Sequence, residues 1–364
     1  MPTAFPILAR PHPDAIRADA ARLKQAEGLR ARDLAARLGI SEAELLAAHA
    51  GFDAPVGMRV TRLRPEWPAL LCEVPRLGTV MALTRNEVAV HEKVGAYGDL
   101  RFSGEVGGAF GRLIDLRLFL RHWRFGFAVE EASPSGPPRR SFQFFAADGT
   151  AVHKIHLKEY SDHRAFAELA AGFAIPEQDA PLAVAPSAGR PLDRPDDMID
   201  REILRTRWFG LGDVHRFHGL LEDLGAGREQ AFRLVGDDLA WQVEPHAFQL
   251  ACERAVEDDV SIMIFVPNPG CIQIHTGTIQ RLKAVGPWWN ILDPGFNLHL
   301  REDLVARAWV ARKHTDLGVV TSLELFDAAG GLILMMFGER APEAEETASW
   351  RRIAASLPRL AADA

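Results

Sequence analysis

Two histidines three residues apart, His215 and His218, lie in the stretch "DVHRFHGLL" and have the chemistry of metal or cofactor ligands. If this stretch is helical, its apolar side chains share one face at about 100° per residue. The side chains on that face are Val214, Phe217, Leu221 and Leu224. His218 then borders the face, and His215 lies about 60° further round, beside Gly219. The residues alone leave two interpretations open: a ligand, or a solvated histidine on a helix flank.

Familiar catalytic signatures are absent from the sequence. It has no GxSxG nucleophile elbow, no GxxxxGK[ST] phosphate loop and no HExxH zinc helix. His153 and His156 in "AVHKIHLKE" would point to opposite faces of a strand. The three cysteines are scattered, which excludes a disulfide scaffold and a cysteine zinc site. Conventional hydrolysis therefore has no support.

The overall charge bounds the class of ligand. With 42 basic and 49 acidic side chains the formal net charge is −7, so an anionic ligand would need a local basic cluster. We expect no general affinity for nucleic acid. The N-terminal stretch has no signal-peptide pattern, and no apolar run approaches the roughly 18 residues of a membrane span. We therefore expect a cytoplasmic protein with no membrane insertion.

The chain resembles itself on either side of a segment with five prolines, residues 176–200. Proline removes backbone donors and disfavours helix, so this segment is predicted to be a linker between halves 1–175 and 201–364. "VMALTRNEVAVHEKVG" in the first half matches "IMIFVPNPGCIQIHTG" in the second, aligning His91 with His275. An internal duplication is the economical explanation.

The order of patterns predicts the fold class. Each half opens with helical sequence, residues 12–50 and roughly 199–256, and continues with alternating apolar and polar segments that end in turns. A further match aligns Arg117 with His299. We therefore predict an α+β protein of two similar halves, each a large antiparallel sheet with N-terminal helices. The cleft between them is the expected ligand site.

Residues 32–46, "RDLAARLGISEAELL", have the spacing of a helix-turn-helix. A DNA-binding regulator is therefore the alternative function. However, the helix after the turn begins Ser41-Glu42-Ala43-Glu44, whose carboxylates would repel phosphate. We predict a structural helical hairpin here.

Several longer motifs carry a family resemblance. "DVHRFHGLL", "REQAFRLVGDDLA", "GPWWNILDPGFNLHLRED", "AWVARKHTDLGVVTSLELFDAAG" and "FGER" look like signature stretches of the cytoplasmic hemin-transport or hemin-degrading factors, the HemS-type family. "RARDLAARLGISEAEL", "TRNEVAVHEKVG" and "LIDLRLFLRHW" resemble the same family in the same order. The resemblance spans nearly the whole chain and includes the internal duplication. It implies one heme bound between the halves.

The resemblance also implies residue roles around the iron. His215 matches the proximal ligand, and an imidazole suits heme iron. Arg117 matches the distal residue, which would act in catalysis if the protein is an enzyme. Its guanidinium stays charged and donates hydrogen bonds rather than ligating. Phe119 matches an aromatic residue near the pocket. His218 stands where many members have phenylalanine and is a candidate alternate ligand.

The heme carboxylates need cations, which the resemblance also supplies. Arg228, Lys313 and Arg340 match residues that bind the propionates, and His91 matches a proposed additional heme contact. One departure concerns "MMFG", where the family has "QLYG": Met335 and Phe337 replace a glutamine and a tyrosine. Phe337 keeps a ring against the ligand but loses the hydroxyl donor.

The function that the resemblance implies is reception of imported heme. The protein would then carry heme, or open the macrocycle oxidatively and release iron with electrons from an outside reductant. A heme oxygenase and the inner-membrane heme importer are the implied partners. The resemblance does not choose between carrier and enzyme.

Overall fold

The computed structural model describes residues 12–52, 57–133, 136–187, 189–341 and 344–360. The helices are α1 Pro13–Glu27, α2 Ala31–Arg37, α3 Glu42–Ala47, α4 Trp67–Glu73, α5 His163–Gly172, α6 Arg201–Phe209, α7 Phe217–Leu224, α8 Arg228–Val235, α9 Ala247–Glu257 and α10 Ala348–Ala355. The strands are β1 Met58–Arg62, β2 Thr79–Arg85, β3 Ala89–Ala96, β4 Leu100–Ser103, β5 Val106–Phe110, β6 Asp115–Phe119, β7 Phe125–Ser133, β8 Gly136–Phe145, β9 Ala151–Leu157, β10 Ala240–Val243, β11 Ile262–Asn268, β12 Cys271–Gly277, β13 Leu282–Val285, β14 Trp288–Asp293, β15 Phe296–Arg301, β16 Arg307–Thr315, β17 Gly318–Phe326 and β18 Leu332–Gly338. No described helix is long and apolar enough to cross a membrane.

The first of two compact units is built on the antiparallel ladder β1-β7-β8-β9. It comprises Met1–Val80, Gly104–Val106 and Phe119–Ala188. Apolar side chains of α3 pack on the strands, with Leu46 in one buried cluster with Phe127 and Phe145. The helical N-terminal segment therefore covers its sheet as predicted.

The predicted helical hairpin in residues 32–46 forms, and its second helix is buried. Ser41 caps α3 in a capping box with Glu44, which satisfies the free N–H groups of the first turn. Glu42 accepts from Lys154 Nζ at 2.7 Å. Every residue from Glu42 to Leu46 is buried. A recognition helix must expose side chains to a DNA groove, so this helix does not suit a DNA-binding regulator.

The second unit contains a nine-stranded antiparallel sheet in the order β10-β16-β17-β18-β11-β12-β6-β5-β4. The unit comprises Met81–Ser103, Gly107–Leu118 and Gly189–Ala364, so only the end residues Val106 of β5 and Phe119 of β6 fall in the first unit. A second ladder, β3-β15-β14-β13, belongs to the same unit. Antiparallel strands with helices confirm the α+β class.

Both ladders of the second unit combine strands from the two halves of the sequence. β3 pairs with β15, and β12 pairs with β6. A shift of 184 residues carries the Val90–His299 pair onto the Ile274–Asp115 pair, so the two ladders have equivalent registers. The register therefore equates His299 with Asp115, rather than with Arg117 as the sequence alignment suggested. Gapped alignment of short strands tolerates a two-residue slip because it preserves the alternation of faces.

Candidate functional site

His215 lies on a 3₁₀ turn, Val214–Arg216, between α6 and α7. Asp213 caps this turn by accepting from the backbone N–H of His215 at 2.9 Å. The N–H of Asp316 donates to the carbonyl of Gly212 at 2.9 Å and ties the segment to the β16–β17 hairpin. The side chain of His215 is exposed, and no described residue is hydrogen-bonded to its ring. The backbone is thus fixed while the imidazole faces outward.

The α-helical interpretation of "DVHRFHGLL" does not hold at the start of this stretch. α7 begins only at Phe217, because the Asp213 cap tightens the preceding residues into a 3₁₀ turn. The angle assigned to His215 from α-helical geometry therefore does not apply. Within α7, Phe217 and Leu221 are buried as expected. His218 is exposed, with Nε2 3.3 Å from an oxygen of Glu222.

Two of the predicted cations, Arg228 and Lys313, meet at one carboxylate, that of Glu324. Arg228 donates from Nε to Oε2 at 2.5 Å and from Nη2 to Oε1 at 3.0 Å. Lys313 Nζ donates to Oε1 at 2.9 Å and to the hydroxyl of Ser322 at 3.0 Å. Ser322 also donates to Oε1 at 2.8 Å. These contacts form a hydrogen-bonded triad of Arg228, Glu324 and Lys313.

The triad supports the helix that follows His215. Lys313 Nζ lies 4.8 Å and the Arg228 guanidinium 5.0 Å from the ring centre of Phe217, the first residue of α7. Both cations thus face a buried ring, a favourable cation–π arrangement. The ring of Trp208 packs edge-on against the same phenylalanine at 4.7 Å. The residue two positions after His215 is therefore held from two sides.

Burial and charge oppose each other within the triad. Burial lowers the pKa of Lys313 to about 8, although Glu324 acts to raise it. Burial disfavours the Glu324 carboxylate, but the charges of Arg228 and Lys313 outweigh that effect and lower its pKa to about 2. At neutral pH the carboxylate is ionised, Lys313 is mostly protonated, and the triad carries a net charge of about +1.

Strand register places the predicted site residues that lie on strands on one face of the nine-stranded sheet. Directly paired residues of antiparallel strands point to the same face. The pairs that link the strands are Glu324–Met335, Met335–Phe265, Phe265–Ile274 and Ile272–Arg117. Phe337 pairs with Met263 and shares this face by alternation. Arg117 and Glu324 are thus on the same face, four strands apart, or about 19 Å.

Arg117 on β6 is held by its own neighbours. Its guanidinium donates to the carboxylate of Asp115 and, at 3.1 Å, to the carbonyl of Leu116. It lies 4.7 Å from the ring centre of Phe110, which is 43% exposed. About a third of the Arg117 side chain remains accessible. A charged donor is therefore available on the face that also carries Phe337.

The remaining predicted residues occupy different environments. The ring of Phe337 packs edge-on against Phe265 at 5.2 Å. The sulfur of Met335 lies 3.3 Å from Arg228 Nη2, so the methionine that replaces the family's glutamine still contacts a predicted cation. Arg340 follows β18 and is half-buried. Phe119 ends β6, is half-buried and falls in the first unit.

His91 is buried, with none of its surface exposed. Its ring lies 5.0 Å from that of Phe296, which also stacks on His275 at 3.7 Å. Lys93 donates to Nδ1 of His275 at 2.6 Å; burial, and then the lysine's charge, lower the pKa of His275 to about 3. These residues form an interior cluster. The additional heme contact predicted for His91 therefore stays a prediction, and in this structure its side chain is enclosed.

Glu324, Phe217 and Phe110 contact predicted site residues but were not identified from the sequence. In "TSLELFD", Ser322 and Glu324 alternate with leucines, a pattern that normally indicates a solvated face. The structure instead buries both polar side chains completely. A buried acid needs a cation, so Lys313 at an alternating position on the preceding strand was the available signal.

The chain matches one known protein family in two places. A family model described as the haemin-degrading HemS.ChuX domain matches residues 39–173 and again 225–357. The hemin transport protein HmuS of Yersinia pestis is 41% identical over 339 residues, which cover 91% of this chain and 93% of that protein. The double match confirms the internal duplication.

Two solved structures are similar over almost the full length. Holo-PhuS, a heme-binding protein from Pseudomonas aeruginosa, has a TM-score of 0.91 and 42% identity, covering 96% of this chain and 99% of that one. The heme degrading enzyme ChuS of Escherichia coli O157:H7 has a TM-score of 0.86 and 36% identity, covering 95% and 99%. The chain therefore belongs to the haemin-degrading HemS/ChuX family.

Proposed function

We propose that this protein binds one heme as cargo or substrate in bacterial heme uptake, and works in the cytoplasm. The observation that carries the proposal is the shared sheet face. Arg117, Phe337 and the Arg228–Glu324 pair lie on it or against it, and His215 follows Gly212, which is hydrogen-bonded to the β16–β17 hairpin. The relatives of this chain are described as hemin-transport, heme-binding and heme-degrading proteins. Heme is a flat apolar ring with two carboxylates, so it fits a sheet face that carries an aromatic ring and arginine side chains.

Each residue has a physical role in this proposal. His215 is the axial ligand, because its imidazole is exposed on a fixed turn. Arg117 donates hydrogen bonds on the opposite side of the iron, and Phe337 packs against the macrocycle. Arg228, Lys313 and Arg340 bind the propionates. Phe119 adds a further aromatic contact near the pocket, and the exposed His218 is an alternate ligand during transfer.

A hemin titration tests the binding function. We expect saturation at one hemin per chain, with a sharp Soret band from histidine ligation, because the exposed imidazole of His215 lies two residues before Phe217, whose ring packs against the triad. The measurement is absorbance against added hemin, with apomyoglobin as competitor to remove weakly associated hemin. Absorbance that rises without saturation, or hemin fully lost to apomyoglobin at once, would contradict the proposal.

Turnover separates a degrading enzyme from a carrier. The purified hemin complex is given oxygen, a physiological electron donor and catalase. We propose that it yields a bilin and free iron, with Arg117 as the catalytic distal donor. Hemin colour that fades only when catalase is omitted indicates peroxide bleaching and contradicts the enzymatic role. A carrier would instead pass intact heme to an apo heme oxygenase. That oxygenase and the inner-membrane importer are the proposed partners.

A further inference from the structure

The glycine-rich stretch "GGAFG", residues 107–111, places an aromatic ring beside Arg117. A Cβ atom on Gly108 would lie 2.7 Å from the ring of Phe110 and 2.7 Å from the carbonyl oxygen of Leu116. Any side chain at this position would therefore displace the ring. Phe110 is 43% exposed, and its ring centre lies 4.7 Å from the Arg117 guanidinium. The glycine thus lets the ring lie along its own strand, within cation–π distance of the arginine.

The Arg117 guanidinium keeps most of its donors for a ligand. Of its five N–H groups, the two on Nη1 donate to the carboxylate of Asp115 and to the carbonyl of Leu116. Within the described ranges of the chain, no group accepts from Nε or Nη2. About a third of the side chain is accessible. Three charged N–H donors therefore remain on this face of the sheet.

The two contacts restrict the arginine before a ligand arrives. An unrestrained arginine side chain loses rotamer freedom when a ligand fixes it, which weakens binding. In this structure Asp115 holds Nη1, and the ring of Phe110 lies against the guanidinium. Much of the rotamer freedom of Arg117 is therefore lost already in the unliganded chain.

We infer that Asp115 and Phe110 are positioning residues for Arg117: they fix its guanidinium so that Nε and Nη2 donate to a group bound to the heme iron. This inference rests on the proposed function, in which Arg117 lies on the side of the iron opposite His215. Neither positioning residue has to contact that group, because both act through the arginine.

Fluoride is the probe for the Asp115 role, because on ferric heme it accepts hydrogen bonds from a distal donor. The hemin complex is titrated with fluoride and followed by its absorption spectrum. We expect roughly tenfold weaker fluoride binding in Asp115→Ala, the size of the rotamer freedom that fluoride must then remove. Asp115→Asn keeps an acceptor oxygen for Nη1 and should bind fluoride within about threefold of wild type. If both variants bind fluoride more tightly than wild type, Asp115 acts through its charge alone and the inference fails.

Two variants of Phe110 separate the aromatic ring from its apolar bulk. Phe110→Leu removes the ring, and we expect about threefold weaker fluoride binding, the size of one exposed cation–π contact. Phe110→Tyr keeps the ring and should match wild type. Wild-type fluoride affinity in Phe110→Leu would overturn the role given to Phe110.

Asp99→Gly is the matched control, since Asp99 also precedes its arginine by two residues. Asp99 accepts from Nε and Nη2 of Arg101 at 2.8 Å each, and the Arg101 guanidinium lies 5.6 Å from the ring centre of Phe110. Glycine is the replacement because Asp99 has a φ of 45°, which strains alanine. We expect hemin and fluoride affinities as in wild type. A loss of fluoride affinity equal to that of Asp115→Ala would mean that any carboxylate near Phe110 has this effect, and would overturn the inference.

Arg117→Met distinguishes failure of the inference from failure of the proposed function. We expect its fluoride binding to be at least as weak as that of Asp115→Ala, because the donor itself is removed. Failure of the wild-type protein to bind hemin would refute the proposed function. Wild-type fluoride affinity in Arg117→Met would refute the distal role of Arg117 and the inference with it. Weak fluoride binding in Arg117→Met, with wild-type affinity in Asp115→Ala, would refute only the inference.

Discussion

His215→Ala is expected to abolish the wild-type Soret band of the hemin complex and to weaken hemin binding roughly 100-fold, about 3 kcal/mol. Iron–imidazole ligation is the directional bond in the proposed site, whereas ring packing and carboxylate contacts survive the substitution. Because the ring of His215 is exposed, the change should leave the fold intact. The measurement is the absorption spectrum and the rate of hemin transfer to apomyoglobin.

His218→Ala provides the control in the same segment. His218 is also exposed, with Nε2 3.3 Å from Glu222 on the surface of α7. We expect its equilibrium spectrum to match wild type and only its transfer rate to apomyoglobin to change. Added imidazole should restore a histidine-like band in His215→Ala by filling the vacant axial position. An unchanged spectrum in His215→Ala would falsify the assignment of the axial ligand.

The sequence predicted the fold class because periodicity and duplication are local signals. Alternating segments became antiparallel strands, and the apolar stripe of α7 is buried at Phe217 and Leu221. Which strand pairs with which is not a local property. Since β3 and β12 have similar patterns, either could pair with β15 or β6, and only the packed structure selects β3–β15 and β12–β6.

The candidate site was predicted as a set of separate residues, without the groups that connect them. Charged side chains such as Arg228 and Lys313 are recognisable in a motif, but sequence does not show that both bind Glu324. Nor does it distinguish a buried lysine such as Lys313 from an exposed one. The triad joins residues that are far apart in the sequence: Arg228 is 96 positions and Lys313 11 positions before Glu324.

Glu324→Gln alone is expected to lower the free energy of unfolding by about 3–5 kcal/mol, because it leaves buried cations without their counter-charge. The amide keeps the shape of the side chain, so the loss is electrostatic rather than a cavity. Lys313, at 2% exposed, cannot turn toward water. Denaturant unfolding at constant pH measures the loss. The double variant with Lys313→Met should recover most of it, since it removes both members of the charge pair.

The pH dependence of this loss follows from the lysine. With Glu324 present, the pKa of Lys313 is already lowered by burial to about 8, from 10.5. Without the Glu324 carboxylate, which acts to raise it, the pKa of Lys313 falls further. Where the unfolded chain binds a proton that the folded chain lacks, stability rises with pH. In the variant that rise begins below pH 8, so its deficit should shrink as pH approaches 8. The wild type loses the contribution of the Glu324 carboxylate as pH falls from 4.5 toward about 2, so the deficit should shrink there too and be largest between these two ranges. A pH-independent deficit would contradict a charged Lys313.

Glu229→Gln tests whether the loss of unfolding free energy depends on how deeply the cation that pairs with the carboxylate is buried. Glu229 is also buried, and it accepts from Arg307 Nη2 at 2.9 Å and from the indole of Trp309 at 3.2 Å. Its arginine, however, is 34% exposed and donates to a backbone carbonyl as well, so it can turn to water when the carboxylate charge is lost. We expect a loss of about 1 kcal/mol, typical of one hydrogen bond. Equal losses at Glu229 and Glu324 would mean that the enclosed lysine adds nothing to the cost of removing the carboxylate charge, and would contradict this prediction.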